Sequence, residues 1–172
     1  MKIEDFSSLF SEFKRSAFRL ETLQTYSVEF EAKALAQYLD GQPLPTVAPN
    51  SDWVELVARN LAAGKTMSRV HTLRTPLTPY ARFEIEWGYY YSAQAGEEIR
   101  LCFVDDAVHQ RVGDFWLFDD SIAVRMQYGE RGEFIAPALV PQADLSTYLA
   151  ARDLSVSKSV KLQEYLAAQR RA

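Results

Sequence analysis

The chain is poor in the residues from which most functional signatures are built. Of its 172 residues, one is cysteine and two are histidine. A single cysteine excludes an intrachain disulfide. Cys102 lies in the apolar run Ile99-Arg-Leu-Cys-Phe-Val104 and reads as a small buried core residue rather than a nucleophile. His71 and His109 have no second histidine or cysteine at ligand spacing, so a zinc site is not indicated and no metal is expected. Neither G-x-G-x-x-G nor G-x-x-x-x-G-K-[ST] is present, which removes the usual phosphate-cradling loops. The nucleophile elbow G-x-S-x-G is missing too, and no cofactor is expected.

Long apolar runs are also absent, so no segment is expected to span a bilayer. The N-terminal Met1-Lys-Ile-Glu-Asp5 lacks the hydrophobic region of a signal peptide, and a cytoplasmic location follows as the expectation. Positive charge is in deficit: 19 Lys and Arg stand against 23 Asp and Glu, for a net charge of -4 and a pI near 5.3. Tracking a phosphate backbone needs a basic face, so direct nucleic-acid binding is not expected. A local patch from Arg69, Arg74 and Arg82 stays open.

What the chain does have is an apolar fraction of 48% and an aromatic fraction of 13%, enough for a sizeable core within one globular domain, 1–172. Phe6, Leu9, Phe10 and Phe13 recur at helical spacing, with Asp5 as the expected N-cap. Residues 17–23 alternate as a strand, and 28–39 read as a helix stopped by Asp40-Gly41. A proline-bearing loop, 42–50, precedes a helix that Ser51 is expected to cap, with Trp53, Leu56, Val57 and Leu61 on one face. Residues 66–75 form the next strand. Thr78-Pro79 then starts a helix running to about 93, with Tyr80, Phe83, Trp87 and Tyr90 or Tyr91 as its stripe, and Gly88 either admits a close neighbour or marks a bend.

Strands are predicted at 98–104, 114–118 and 122–128, an edge strand at 133–136, and helices at about 142–152 and 156–170. No helix separates the three strands between 98 and 128, which predicts an antiparallel meander at the centre of the sheet. The fold class is therefore α+β. The expected architecture is a mostly antiparallel sheet of about four to six strands, helices mainly on one face, and a helical C-terminus.

Two regions carry potential chemistry. The segment Arg69-Val-His-Thr-Leu-Arg74-Thr-Pro-Leu-Thr-Pro-Tyr80-Ala-Arg82-Phe-Glu84 puts Arg69 and His71 on one strand face and leads into a helix start. Arginine forks bind carboxylate or phosphate, so a pocket for an anionic ligand is one reading, with His71 or an aspartate handling a proton. The segment Asp114-Phe-Trp-Leu-Phe-Asp119 puts Asp114 and Trp116 on one face, with Trp116 as a ring to stack against. The candidate ligand residues are Arg69, His71, Tyr80, Arg82, Glu84, Asp114, Trp116 and Asp119. The competing reading makes Arg82 and Glu84 a solvated helix face, pairs the arginines with Asp114, Asp119 or Asp120, and buries Trp116 in the core. Asp105-Asp106 and Asp119-Asp120 lack the calcium-loop pattern and are ordinarily turn formers.

Several of these stretches resemble a known family. Leu73-Arg-Thr-Pro-Leu-Thr-Pro-Tyr-Ala-Arg-Phe-Glu84, Ala95-Gly-Glu-Glu-Ile-Arg100, Asp114-Phe-Trp-Leu-Phe-Asp119 and Met126-Gln-Tyr-Gly129 are similar to an actinobacterial domain of unknown function, as is Arg19-Leu-Glu-Thr22 before Tyr26. The similarity spans about residues 5–155. The family often reads Tyr-Asp-x-x-Gly where this chain has Tyr128-Gly-Glu-Arg-Gly132. Its members are often encoded beside helix-turn-helix regulators. The resemblance thus implies a cytoplasmic accessory or regulatory protein that binds a protein partner, such as a DNA-binding regulator, and is compatible with a homodimer. It establishes no catalytic residue, and whether the chain is an enzyme stays open. A binder or enzyme for an anionic small molecule is the alternative. A ribonuclease-like toxin is weaker, because the chain is acidic.

Overall fold

A computed structural model describes residues 1–103 and 112–171. Val104, the Asp105-Asp106 pair and His109 lie outside the described residues. Among the described residues, seven strands form one mixed sheet: β1 (Ser16–Glu21), β2 (Thr66–Leu73), β3 (Glu98–Phe103), β4 (Phe115–Phe118), β5 (Ile122–Tyr128), β6 (Phe134–Leu139) and β7 (Val160–Lys161). Their order is β6-β5-β4-β1-β2-β3-β7. The strands exceed the expected four to six because the two-residue β7 adds an edge. The class remains α+β.

The expected 98–128 meander does not form. β3 pairs with β2, and β4 pairs with β1, so two strands stand between them. Parallel pairing of β1 with β2 and β2 with β3 takes the centre. Parallel neighbours need long crossovers, and the helix-bearing segments 22–65 and 74–97 supply them. The antiparallel meander is instead β4-β5-β6. β6 is an edge strand, which is where Pro137 is tolerated.

Alternation within the strands divides the core by face. Phe18, Leu20, Val70, Cys102, Phe115, Leu117 and Ala123 pack under α6 (Leu145–Ser157) through Leu145, Tyr148, Leu149 and Ala151. The opposite face carries Ala17, Met67, Trp116, Phe118 and Val124 against α1 (Ile3–Glu12) and α3 (Ser51–Ala62). Farther along that face, Leu73, Ile99 and Leu101 meet α4 (Pro79–Phe83), α5 (Tyr90–Gln94) and α7 (Leu162–Gln169). A short α2 (Ala32–Leu39) packs on α4 through Ala34 and Phe83. Each fully buried Leu or Phe of these clusters contributes about 1.5–3 kcal/mol.

Local signals explain most element ends, with two corrections. Lys2, not Asp5, stands at the start of α1, and Asp5 sits in its first turn, where an acid suits the helix dipole. Asn50, not Ser51, caps α3, accepting from the Trp53 N–H at 3.2 Å. Thr78 caps α4 through its side chain, as its Thr-Pro signature predicts. Asp119 and Asp120 both have positive φ, 53° and 58°, as the central residues of the turn that the Ser121 N–H closes onto the Phe118 carbonyl at 3.0 Å, within the three-residue connection from β4 to β5. Such a turn needs left-handed backbone at both central positions, and aspartate tolerates it.

Candidate functional site

The middle of the α3/α4 face is polar. Arg19 and Glu21 of β1 alternate onto that face with Arg69 and His71 of β2, and the register pairs Arg19 with Arg69 and Glu21 with His71. Glu21 ends β1 and His71 lies near the end of β2. Open sheets with parallel strands place ligands at such carboxyl ends.

A π turn builds the opposite wall. Between α4 and α5 the chain widens at Glu84–Gly88, where the Tyr89 N–H donates to the Glu84 carbonyl at 2.9 Å. Five residues apart, Glu84 and Tyr89 would diverge on a regular α-helix. The wider turn buries both against the sheet, and it moves the stripe from Tyr90 to Tyr89. Such π turns recur at functional sites.

These groups form one hydrogen-bonded network. Arg69 donates from Nε to Glu97 Oε1 at 2.7 Å and from Nη1 to Glu21 Oε1 at 3.1 Å. Its guanidinium lies 5.7 Å from the Trp53 ring centre and 5.3 Å from that of Tyr89. Tyr89 Oη lies 2.9 Å from Glu21 Oε2 and 2.7 Å from His71 Nδ1, so its one hydroxyl proton has two acceptors in reach. His71 Nε2 is 2.7 Å from the Leu23 carbonyl, which can only accept, so Nε2 carries a proton. Trp53 Nε1 donates to Glu97 Oε2 at 3.1 Å. Arg19 donates from Nη2 to Asp114 Oδ2 at 3.0 Å and to Tyr128 at 2.8 Å, beneath the Trp116 ring. Its Nη1 is buried with no hydrogen-bond partner among the described residues.

Burial and neighbouring charge set the protonation of this network. Burial alone would raise the Glu21 carboxyl, but the guanidiniums of Arg69 and then Arg19 bring it down to about 2. Glu84 is held well above the ordinary carboxyl range by burial first, then by the nearby Glu31 and Glu21 carboxylates. Glu84 is therefore biased towards its neutral form. Glu31 is also raised, by burial first, although Tyr80 donates to its Oε2 at 2.7 Å.

Above the network opens a cleft of about 250 Å³. Its aromatic lining comes from Phe30, Trp53, Tyr89, Tyr91 and Trp116, and its charged lining groups are Glu31, Arg69 and Glu84. Tyr91 is anchored to the Pro45 carbonyl of the proline loop.

Of the eight residues expected at a ligand site, the structure gathers six and separates two. Arg69, Glu84 and Trp116 line the cleft, with His71 and Tyr80 buried behind it. Asp114 belongs to the same network but is fully committed, accepting from Arg19, from Tyr26 at 2.6 Å, and from the N–H and hydroxyl of Thr22 at 2.8 and 2.6 Å. Arg82 is exposed on α4, as the solvated-face reading expects. Asp119 serves the fold: its carboxylate accepts from the N–H groups of Lys14, Arg15 and Ser16 at 2.7, 2.7 and 3.0 Å. Asp120 pairs with Arg152 of α6.

Glu21, Glu31, Trp53, Tyr89 and Glu97 were not singled out from sequence. The one legible signal was the charged pair Arg19 and Glu21 alternating within an otherwise apolar strand. Glu21, His71 and Glu84 each offer one ligand atom, all within 4.8 Å of one another, a grouping that sequence spacing concealed. Both His71 nitrogens and both Glu21 oxygens already have partners, and a dication there would adjoin two buried guanidiniums. The donor set fits a hydrogen-bonded core better than a metal.

The chain belongs to a family described as a domain of unknown function (DUF6879), whose model matches residues 4–167. No curated protein matches it. Among solved structures it is similar to Nuc from Salmonella typhimurium, a phospholipase D family member, with a TM-score of 0.51 and 8% identity over 90% of this chain and 86% of that one. At that identity the likeness concerns the fold.

Proposed function

We propose that this DUF6879 member binds a small molecule in the cleft between α3 and the π turn. The observation that carries the reading is the polar network at the strand ends, sealed below but opening into an aromatic-walled cavity. A core needing no ligand would be more stable with apolar side chains of similar volume in place of these ion pairs. Held by many mutual bonds, the network presents Glu84, Tyr89 and Arg69 in fixed positions, which lowers the ordering cost of binding.

The anionic-ligand reading weakens on this geometry. Arg69, the cleft's arginine, is already paired with Glu21 and Glu97. The same pairing argues against carrying any activity over from the structural neighbour of the phospholipase D family, and against a ribonuclease. Glu84 as a buried acid, hydrogen-bonded to Tyr89, is a group able to move a proton, so an enzymatic role fits the cleft.

A second reading rests on a different surface. On the edge strand β6, Phe134, Ile135 and Leu139 are exposed. An apolar sheet edge suits strand addition by a protein partner, and a neighbouring DNA-binding regulator in an actinobacterial cytoplasm would be such a partner. No helix among the described residues is long and apolar enough to cross a membrane.

The test of the cleft is a small-molecule screen by thermal denaturation of the full chain. A binder should raise the melting temperature, and Trp53→Leu should abolish that rise. A rise that Trp53→Leu leaves intact would place binding elsewhere.

A further inference from the structure

We infer that the occupant of this cleft is an organic cation, an ammonium-bearing small molecule caged by Trp53, Tyr89, Tyr91 and Trp116, with Glu31 and Glu84 as its counter-charges. This rests on the binding reading above and names the ligand class for it.

The argument begins with formal charge. Five carboxyl groups, Glu21, Glu31, Glu84, Glu97 and Asp114, surround two guanidiniums, Arg19 and Arg69. The guanidiniums are spent on Glu21, Glu97 and Asp114. What remains facing the cavity is Glu31 and Glu84. Burial holds both towards their neutral forms, so no charge is missing while the cleft is empty. An anion would meet two groups that can only gain negative charge, whereas a cation is the occupant that lets them ionise as its counter-charges.

The walls select the same class. Ring faces attract cations through their quadrupole, and aromatic cages with a carboxylate are suited to quaternary ammonium groups. Arg69 already lies over Trp53 and Tyr89 and Arg19 over Trp116, so these rings accept cations. Both guanidiniums are paired with carboxylates, unlike a metal dication's bare charge, and Tyr91 is the cage ring with no guanidinium over it among the described residues.

A consequence for protons follows. In the empty cleft, burial biases Glu84 towards its protonated form. A bound cation favours the carboxylate, so binding should expel that proton, and affinity should rise with pH from the ordinary carboxyl range towards Glu84's raised value.

The experiment compares three probes of one ring size: benzyltrimethylammonium, benzyl alcohol and benzoate. The first carries a charge that does not titrate. Titration calorimetry of the full chain in two buffers of different ionisation enthalpy reads affinity and proton release together. At about pH 8 the cation should bind at least about tenfold tighter than the other two and release protons. Glu84→Gln should remove the proton release and weaken the cation about tenfold, while leaving benzyl alcohol unchanged. Glu31→Gln, at a less buried position, should weaken it by less and serves if Glu84→Gln folds poorly. Benzoate or benzyl alcohol binding as tightly as the cation, with heat lost in Trp53→Leu, would overturn the cation and keep the site. No binding by any probe at about 10 mM would overturn both.

Discussion

A carboxyl oxygen of Glu84 occupies the space that a Cβ on Gly88 would fill. Four residues apart, the two share one helix face, so a glycine that reads as a helix weakness leaves room for a buried acid at the cleft. Gly88→Ala in an ordinary exposed helix would gain about 1 kcal/mol from propensity. Here the methyl must displace the buried carboxyl, an overpacking cost of about 1–3 kcal/mol. The expected net outcome is lower stability in urea denaturation, together with weaker binding by the cleft.

Glu84→Gln should behave in the opposite sense. A raised carboxyl binds its proton in the folded chain at pH values where the unfolded chain has lost it. Folded stability therefore falls as pH rises above about 4.5, the ordinary glutamate value. Glutamine copies the neutral acid without that cost. The variant should match the parent near pH 4.5 and exceed it increasingly towards pH 8, as read by urea midpoints at a series of pH values.

Glu21 carries the reverse linkage. Its carboxyl is lowered to about 2, so the stability it contributes is complete above the ordinary glutamate range and is lost as pH falls towards 2. Glu21→Gln leaves Arg69 and Arg19 short of a counter-charge in a buried setting, and should cost about 3–5 kcal/mol at neutral pH. The difference from the parent should shrink on acidification.

Asp119→Ala tests a residue that sequence placed with the ligand and structure places in the fold. Removing the acceptor for three backbone N–H groups should destabilise the chain by about 2 kcal/mol at neutral pH without altering ligand affinity. Although partial burial alone would raise it, the Ser16, Lys14 and Arg15 N–H groups hold this carboxyl below its ordinary value. The effect should fade as pH falls through the aspartate range.

How far the sequence was legible depended on whether the signal was local. Thr78-Pro79 marked a helix start, Asp119-Asp120 a tight turn, and Pro137 an edge strand, because capping, φ preference and a missing N–H act over a few residues. Strand pairing is not local. Residues 98–128 looked contiguous because no helix interrupts them, yet β1, some eighty residues earlier in the chain, inserts between β2 and β4. Arg69, His71 and Trp116 could be picked out by alternation. Glu97 and Tyr89 could not, since one follows a loop and the other faces inward only through a π turn that no residue pattern announces. Arg82 and Glu84, two apart on one helix, looked equivalent, and packing made one solvated and the other a buried acid.

The most direct test watches the indole N–H resonances of the full chain while benzyltrimethylammonium is added at about pH 8. The account predicts saturable shifts of Trp53 and Trp116, which line the cleft, and little change at Trp87, whose ring packs on Tyr38 and Phe83. Indoles that all stay in place at saturating probe would contradict it.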